Sequence, residues 1–210
     1  MWHIFDKGGP VMYPLLVCSI IALSVVIERA IFWFRLGLRS QPALVDEVLE
    51  LSRRGDWESI RNKTVHAKDY MIKILISGIL HREFSMIKAM EAAAADEIKH
   101  MRRFMGVLDT MITVAPLLGI FGTVLGIISS FEALGSAGIE HPQEVTTGIA
   151  QALITTAAGL GIAILSVFPY NYFNSRVENT AVQIEKYATS LEIVYEKLAH
   201  NNCGAKEPGS

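Results

Sequence analysis

Charged side chains are missing from three long stretches of the chain. Lys, Arg, Asp and Glu are absent from residues 8–27, 110–131 and 145–175, which are 20, 22 and 31 residues long. A helix needs about 20 apolar residues to cross a hydrocarbon core of about 30 Å, because each residue advances about 1.5 Å. Three such stretches are more than a soluble core of 210 residues encloses. The pattern predicts an all-α membrane protein with three transmembrane helices.

The segments outside these stretches have helical patterns of a different kind. Residues 36–105 read as short amphipathic helices, with a helix start at Pro42 and a turn at Gly55 and Asp56. The last part, 85–103, contains no Pro or Gly before the second span. We therefore predict one continuous helix there that runs straight into the membrane and forms a stiff link; the alternative is a solvated connector.

A further amphipathic helix is predicted after the third span. Apolar residues recur there at alternating spacings of three and four. They are Val177, Ala181, Ile184, Ala188, Leu191, Val194 and Leu198. This narrow seam is expected to pack on the 85–103 helix of its own chain or of a neighbour, and the tail at 201–210 is expected to be disordered.

Basic residues are distributed unevenly, and the distribution predicts topology. Of 19 Lys and Arg, only Lys7 precedes the first span, 14 lie between Arg29 and Arg103, none separates the second span from the third, and four follow from Arg176 onward. The positive-inside rule then places the N-terminus in the periplasm and the C-terminus in the cytoplasm. The predicted division is 1–35 (periplasmic N-terminus and first span), 36–105 (cytoplasmic helical domain), 106–131 (second span), 132–144 (periplasmic loop), 145–173 (third span) and 174–210 (cytoplasmic helix and tail).

The rest of the composition excludes several classes of function. No cluster of His, Asp, Glu or Cys and no nucleophile motif is present, which argues against an enzyme, a metal site or a cofactor. No basic stripe suggests nucleic acid binding. Cys18 lies in the first span and Cys203 in the C-terminal segment, so the two are not expected to form a disulfide.

Small residues collect on one face of the second span and on one face of the third. At about 100° per residue, the first set falls within an arc of roughly 80° and the second within about 140°. The first set is Pro116, Gly119, Thr123, Gly126 and Ser130, and the second is Gly148, Gln151, Ala152, Thr155, Thr156, Gly159, Ala163 and Ser166. The two faces can meet as a close-packed seam with hydroxyls bonded to their own helices, or can hold another helix or a short file of water.

Asp, Glu, Lys, Arg and His are absent from 110–131 and 145–175, so the chain alone offers no titratable carrier in mid-membrane and any proton path needs a group from another polypeptide. The amide of Gln151 is polar at membrane depth, which favours a protein partner or a cavity, and the sequence offers it no evident intrachain partner. Asp109 is the nearest carboxylate, at the cytoplasmic edge of the second span. On sequence it is interpreted as an interfacial helix-end residue and not as a relay.

Two membrane motifs resemble the MotA/TolQ/ExbB proton channel family, in its ExbB/TolQ branch. Residues 115–131, APLLGIFGTVLGIISSF, are similar to the family's APLLGLLGTVxGMIxxF, and residues 148–163, GIAQALITTAAGLGIA, are similar to its GIAEALxxTAxGLxxAI. The first span, from Gly8-Gly-Pro to Glu28-Arg29, also resembles the family's opening. The likeness covers nearly the whole chain.

The resemblance implies a motor subunit in the bacterial inner membrane. It implies a homopentameric ring whose second and third helices surround a dimer of a single-span ExbD/TolR-like partner, and this partner carries the proton-binding Asp. A TonB/TolA-like protein would receive the force. By position, Thr123 and Thr156 would face the partner helix; Thr155 and Gln151 complete the predicted ion pathway. Helix packing at the pore is predicted for Pro116, Gly119, Gly122, Gly126, Gly148 and Gly159.

One residue departs from the family pattern. Gln151 stands where ExbB and TolQ relatives usually carry Glu, so it keeps a hydrogen-bonding group but cannot ionise. The motifs leave open proton or sodium coupling, and an output in nutrient import, envelope maintenance or gliding motility. A structural membrane scaffold that conducts no ion is the alternative function from a different class.

Overall fold

A computed structural model of the protein describes residues 8–137 and 142–204, and over these residues the fold is all-helical. The helices are α1 (Met12–Arg39), α2 (Pro42–Arg54), α3 (Trp57–Thr64), α4 (Tyr70–Leu80), α5 (Met86–Met101), α6 (Met105–Ala137) and α7 (Pro142–Gly204). The described chain forms two compact units. Unit 1 contains the chain up to Ala30 together with Phe104–Asn174, and unit 2 contains Ile31–Arg103 and the chain from Ser175 onward.

Three helices are long and apolar enough to cross a membrane, as the sequence predicts. They are α1, α6 and α7. Each is longer than its charge-free stretch: α1 passes through Glu28 and Arg29 and ends at Arg39. The predicted loop at 132–144 is largely helical, because α6 continues to Ala137 and α7 begins at Pro142. Residues 138–141 of that loop lie outside the described residues.

The prediction of one continuous helix from 85–103 into the second span is wrong. Helix α5 ends at Met101, and Phe104 adopts a left-handed conformation with φ of 64° before α6 begins at Met105. This conformation costs a bulky residue about 1–2 kcal/mol, and no Gly or Pro announces it in the sequence. The Arg29 guanidinium carbon lies 5.9 Å from the centroid of the Phe104 ring, and this cation–π contact counters part of that cost.

Unit 1 is held together by a narrow stripe on α1. The buried residues of α1 are Leu15, Cys18, Ala22, Val25 and Arg29, spaced alternately by three and four. Such spacing keeps one helical face toward a neighbour. Leu15 packs with Ala115 of α6, and residues of both α6 and α7 lie against this cluster. Up to Ile27, the exposed large side chains of α1 are apolar, as expected for a helix in lipid.

The buried Arg29 is the exception in that stripe. Its side chain is 1% exposed, and its Nε and Nη2 atoms donate to the two carboxylate oxygens of Glu28 at 2.5 and 2.7 Å. A buried cation needs such a partner, because an isolated charge away from water is costly. The pair lies at the end of the apolar stretch of α1.

Unit 2 has an ordinary hydrophobic core built around α4. Ile74 and Leu75 are fully buried there, and the core takes further apolar residues from α2, α3, α5 and the C-terminal part of α7. The predicted helix start at Pro42 and turn at Gly55 are confirmed; Gly55 has φ of 70°, and Asp56 then caps α3 by accepting from the Ser59 N–H.

Helix α7 crosses from one unit into the other without a break. Ile184 and Leu191, two members of the predicted seam, lie in the same cluster as Met86 and Met90 of α5, so packing on that helix occurs within one chain. The prediction that disorder begins at 201 is wrong for the first four residues, since the helix continues to Gly204. Residues 205–210 lie outside the described residues.

Candidate functional site

The small faces of α6 and α7 pack against each other within one chain. Contacts run from Ala115 with Gly159 at one end to Ser130 with Val145 at the other. The residue numbers of contacting pairs sum to nearly the same value throughout, so the two helices are antiparallel. We call this contact the α6–α7 seam. It confirms the prediction that the two small-residue faces meet.

Glycine makes the close approach possible. A methyl group on Gly119 would lie 3.0 Å from the Thr155 carbonyl oxygen, and one on Gly126 would lie 2.8 Å from the Gly148 carbonyl oxygen. A methyl group on Gly159 would overlap the carbonyl oxygen of Ala115. Backbone atoms are the obstacle in each case, so no side-chain rotation can make room. Small residues of this kind are what membrane helices use to pack closely.

The hydroxyls of Thr123 and Thr156 meet at the middle of this seam. They hydrogen-bond to each other, and Thr156 Oγ1 also donates to the Gly119 carbonyl oxygen at 3.0 Å. Thr123 Oγ1 reaches the same carbonyl at 3.1 Å. Each hydroxyl has one proton and two lone pairs, so this arrangement leaves acceptor capacity unused. Both threonines are partly exposed, which leaves that capacity available to a group outside the chain.

Thr155 occupies a different position from the one the sequence predicts. Its side chain is 0% exposed, and its Oγ1 donates to the Ala152 carbonyl oxygen at 2.8 Å. A methyl group on Gly122 would lie 2.5 Å from that hydroxyl oxygen. Thr155 is therefore a packing residue inside the seam, and its hydroxyl is closed off from the space outside the two helices. Angular position alone did not separate it from its neighbour Thr156.

Gln151 has an intrachain neighbour that the sequence did not reveal. Its amide nitrogen occupies the space where a Cβ on Gly9 would lie. Gly9 has φ of 69° in the turn before α1, a conformation that glycine adopts without steric cost. The residue that departs from the family pattern thus packs on the turn that leads into the first span.

The remaining predicted residues belong to the same seam. Gly148 lies against Ser130, whose hydroxyl donates to the Gly126 carbonyl oxygen at 2.8 Å and to that of Val145 at 3.2 Å. Pro116 is partly exposed, and α6 continues through it. Sequence reasoning missed Ala115, which is fully buried, although it is a small residue one turn before Gly119.

The described residues contain no group of three or more His, Cys, Asp and Glu that could hold a metal ion. Chemically, the seam offers hydroxyl oxygens, backbone carbonyls and close helix contact. It contains no nucleophile paired with a base.

Comparison with known proteins decides the family. Residues 66–186, more than half of the chain, match the MotA/TolQ/ExbB proton channel family. This chain belongs to that family. Members of the MotA/TolQ/ExbB family are transport and energising proteins, and with three apolar helices the chain is a membrane protein.

Relatives of both the ExbB and the TolQ kind are similar to the chain. It is 36% identical to the biopolymer transport protein ExbB-like 3 of Synechocystis sp. over 207 residues, which covers 95% of this chain and 97% of the relative. It is 28% identical to the biopolymer transport protein ExbB of Pseudomonas putida, over 94% of this chain and 63% of the relative. It is 33% identical to the Tol-Pal system protein TolQ of Pseudomonas aeruginosa, over 55% of this chain and 50% of the relative.

Proposed function

We propose that this chain forms the channel of a proton-driven motor in the bacterial inner membrane, as a homopentamer that energises a partner complex. The N-terminus is periplasmic, and residues 36–105 and 174–210 are cytoplasmic. The observation that carries the proposal is the pair of hydroxyls of Thr123 and Thr156, which are joined across the seam and partly exposed. They lie in two stretches, 110–131 and 145–175, that contain no Asp, Glu, Lys, Arg or His. A surface of this kind binds a group that another polypeptide supplies.

The supplied group is an Asp on a single-span partner resembling ExbD or TolR, present as a dimer inside the ring. Burying an ionised carboxylate away from water is costly, so protonation changes where the partner helix is most stable. One elementary charge moved across 100 mV supplies about 2.3 kcal/mol. This amount biases the partner's movement at every step, and a TonB/TolA-like protein transmits the movement.

Thr123 and Thr156 act as docking groups in this scheme. The protonated partner carboxyl donates a hydrogen bond to a threonine oxygen, because the lone pairs not used within the seam are acceptors. The ionised carboxylate would instead need a donor, and each threonine proton is already engaged by Gly119 or by the other hydroxyl. The pair therefore favours the neutral form of the partner's Asp over its anion.

Replacing Thr156 tests this role. The chain is co-purified with its single-span partner and reconstituted in liposomes, and proton uptake is measured under an imposed membrane potential. Thr156→Val keeps the side-chain shape but removes the hydroxyl, and we expect proton uptake to fall at least tenfold. Thr156→Ser restores the oxygen and should recover most of the flux. Wild-type flux in an intact Thr156→Val complex would remove this residue from the mechanism.

A scaffold without ion conduction is the second candidate, favoured by the seam itself. The hydroxyls of Ser130 and Thr155 donate to carbonyls of their own helices, as in helices that only pack. A complex that assembles with its partner but takes up no protons under the imposed potential would select the scaffold. In the channel, Gln151→Glu should remain functional; complete loss of flux would show that a neutral side chain is required there.

A further inference from the structure

Asp109 lies on α6 at a depth where α1 is apolar. The preceding residue, Leu108, is fully buried and packs in one cluster with Val25 of α1. The charged end of the apolar stretch of α1 is marked by Arg29, which lies over the ring of Phe104. Asp109 is five residues beyond Phe104, so its Cα lies about 7.5 Å further along α6 into the membrane. Asp109 therefore lies beside the apolar part of α1 and not beside its charged end.

The carboxylate of Asp109 is exposed at this depth. Within the described residues, no hydrogen bond or ion pair engages it. On α1, Leu23 and Ile27, two residues before and after Val25, are 61% and 51% exposed, which is suitable for lipid contact. An ionisable side chain within a membrane span faces a protein interior or a water-filled cavity, because lipid solvates it poorly. The exposed side of α6 at Asp109 therefore faces water or protein in the assembled complex.

Asp109 lies on the same side of α6 as Thr123, the α6 residue of the proposed ion pathway. At about 100° per residue, Asp109, Thr113, Pro116 and Thr123 fall within an arc of about 80°. Thr113 is exposed, and its hydroxyl donates to the Asp109 carbonyl oxygen at 3.0 Å, which leaves its lone pairs pointing away from the helix backbone. Along the helix axis, Thr113 is about 6 Å from Asp109, and Thr123 is about 21 Å from it.

We infer that Asp109 and Thr113 line the cytoplasmic mouth of the ion pathway and bind the proton, or a hydrated monovalent cation, as it leaves. This inference rests on the proposed channel function. A proton released by the partner's Asp passes through water to the Asp109 carboxylate, which becomes a carboxylic acid and then returns the proton to cytoplasmic water. The carboxylate is regenerated, so the step has no net chemistry. Asp109 thus provides a titratable group on this chain beside the charge-free stretch 110–131.

Proton uptake tests the role of the charge. With the partner-containing complex in liposomes, we expect Asp109→Asn to slow uptake at least tenfold and Asp109→Glu to retain most of it. Asp96→Asn is the matched control, because Asp96 is an exposed carboxylate on α5 and its loss should leave uptake unchanged. Wild-type uptake in Asp109→Asn would overturn the inference and leave the channel function intact. Equal losses in Asp109→Asn and Asp109→Glu, with assembly intact, would also overturn it.

Water access provides a second measurement that does not depend on conduction. On a background of Cys18→Ser and Cys203→Ser, Thr113→Cys should react with a charged, membrane-impermeant thiosulfonate added from the cytoplasmic side. Ile27→Cys, which faces lipid, should react at least tenfold more slowly. Equal, slow labelling of both positions would overturn the water-filled mouth. Fast labelling of Thr113→Cys, combined with no proton flux in the unsubstituted wild-type complex, would instead refute the channel function.

Discussion

Adding one methyl group at Gly159 tests the packing of the seam against a control two residues away. In Gly159→Ala, the new Cβ overlaps the Ala115 carbonyl oxygen and lies 3.2 Å from the Gly119 Cα. In Gly161→Ala, no atom lies within 4 Å of the new Cβ. Both positions are inside α7, so both substitutions gain the same helix preference, and only one of them forces helices apart.

The magnitudes follow from these distances. Alanine in place of glycine inside a helix stabilises by about 0.5–1 kcal/mol. Overpacking typically costs about 1–3 kcal/mol, and the upper part of this range applies at Gly159 because backbone atoms cannot rotate away. We therefore expect Gly159→Ala to lower the free energy of unfolding by about 1–2 kcal/mol and Gly161→Ala to raise it by up to about 1 kcal/mol.

Cys18 provides the assay, because its thiol is buried in α1. On a Cys203→Ser background, a fluorogenic maleimide reacts with Cys18 only when unit 1 opens. Thermal unfolding in a mild detergent, followed by this reaction, should give a midpoint several degrees lower for Gly159→Ala than for Gly161→Ala. The same midpoint for both variants, or a lower midpoint for Gly161→Ala, would refute the close contact between α6 and α7.

Three further predictions concern the turn before α1 and the core of unit 2. Gly9→Ala combines a left-handed φ with overlap on the Gln151 amide, whereas Gly55→Ala has nearly the same φ in open space. Gly55→Ala should lower the free energy of unfolding by about 1 kcal/mol, and Gly9→Ala should lower it clearly more. In a double-mutant cycle, Gln151→Ala should rescue Gly9→Ala and leave Gly55→Ala unchanged. Asp69→Ala removes the carboxylate that accepts from the backbone N–H groups of Gln41 and Met71 at 2.6 and 2.7 Å. It should lower the free energy of unfolding in denaturant by about 2 kcal/mol. An unchanged unfolding midpoint would contradict this. Burial, with the nearby Asp69 carboxylate, raises the pKa of Tyr70 above 10.0. The folded state therefore keeps a proton that the unfolded state loses, and stability should fall as the pH rises above 10. Tyr70→Phe should make this fall shallower in thermal melts at alkaline pH, and an equally steep fall in the variant would exclude Tyr70 as its source.

The membrane spans and the family were readable from the sequence because both depend on local pattern. A long stretch without charged residues is buried away from water whatever its neighbours in the fold are. The family motifs at 115–131 and 148–163 are each contiguous in the chain, so they are visible without a structure. Helical periodicity also placed Thr123 and Thr156 on facing surfaces, and the structure brings their hydroxyls together. Helical periodicity predicts which side of a helix a residue lies on, but it does not separate two neighbours on the same broad face. For this reason it did not distinguish the buried Thr155 from the partly exposed Thr156.

Contacts between segments that are far apart in the chain could not be predicted from the sequence. The left-handed Phe104 interrupts the expected continuous helix, and its ring lies against Arg29, 75 residues earlier. Gln151 packs on a turn at Gly9, 142 residues earlier. The depth of Asp109 could be read only after α1 had been aligned with α6. The sequence by itself therefore determined which segments are buried in the membrane and which family the chain belongs to, because apolar length and contiguous motifs depend only on residues that are neighbours in the chain. Which side chains meet, and at what depth, was decided by the tertiary structure, because it depends on how separate helices approach each other.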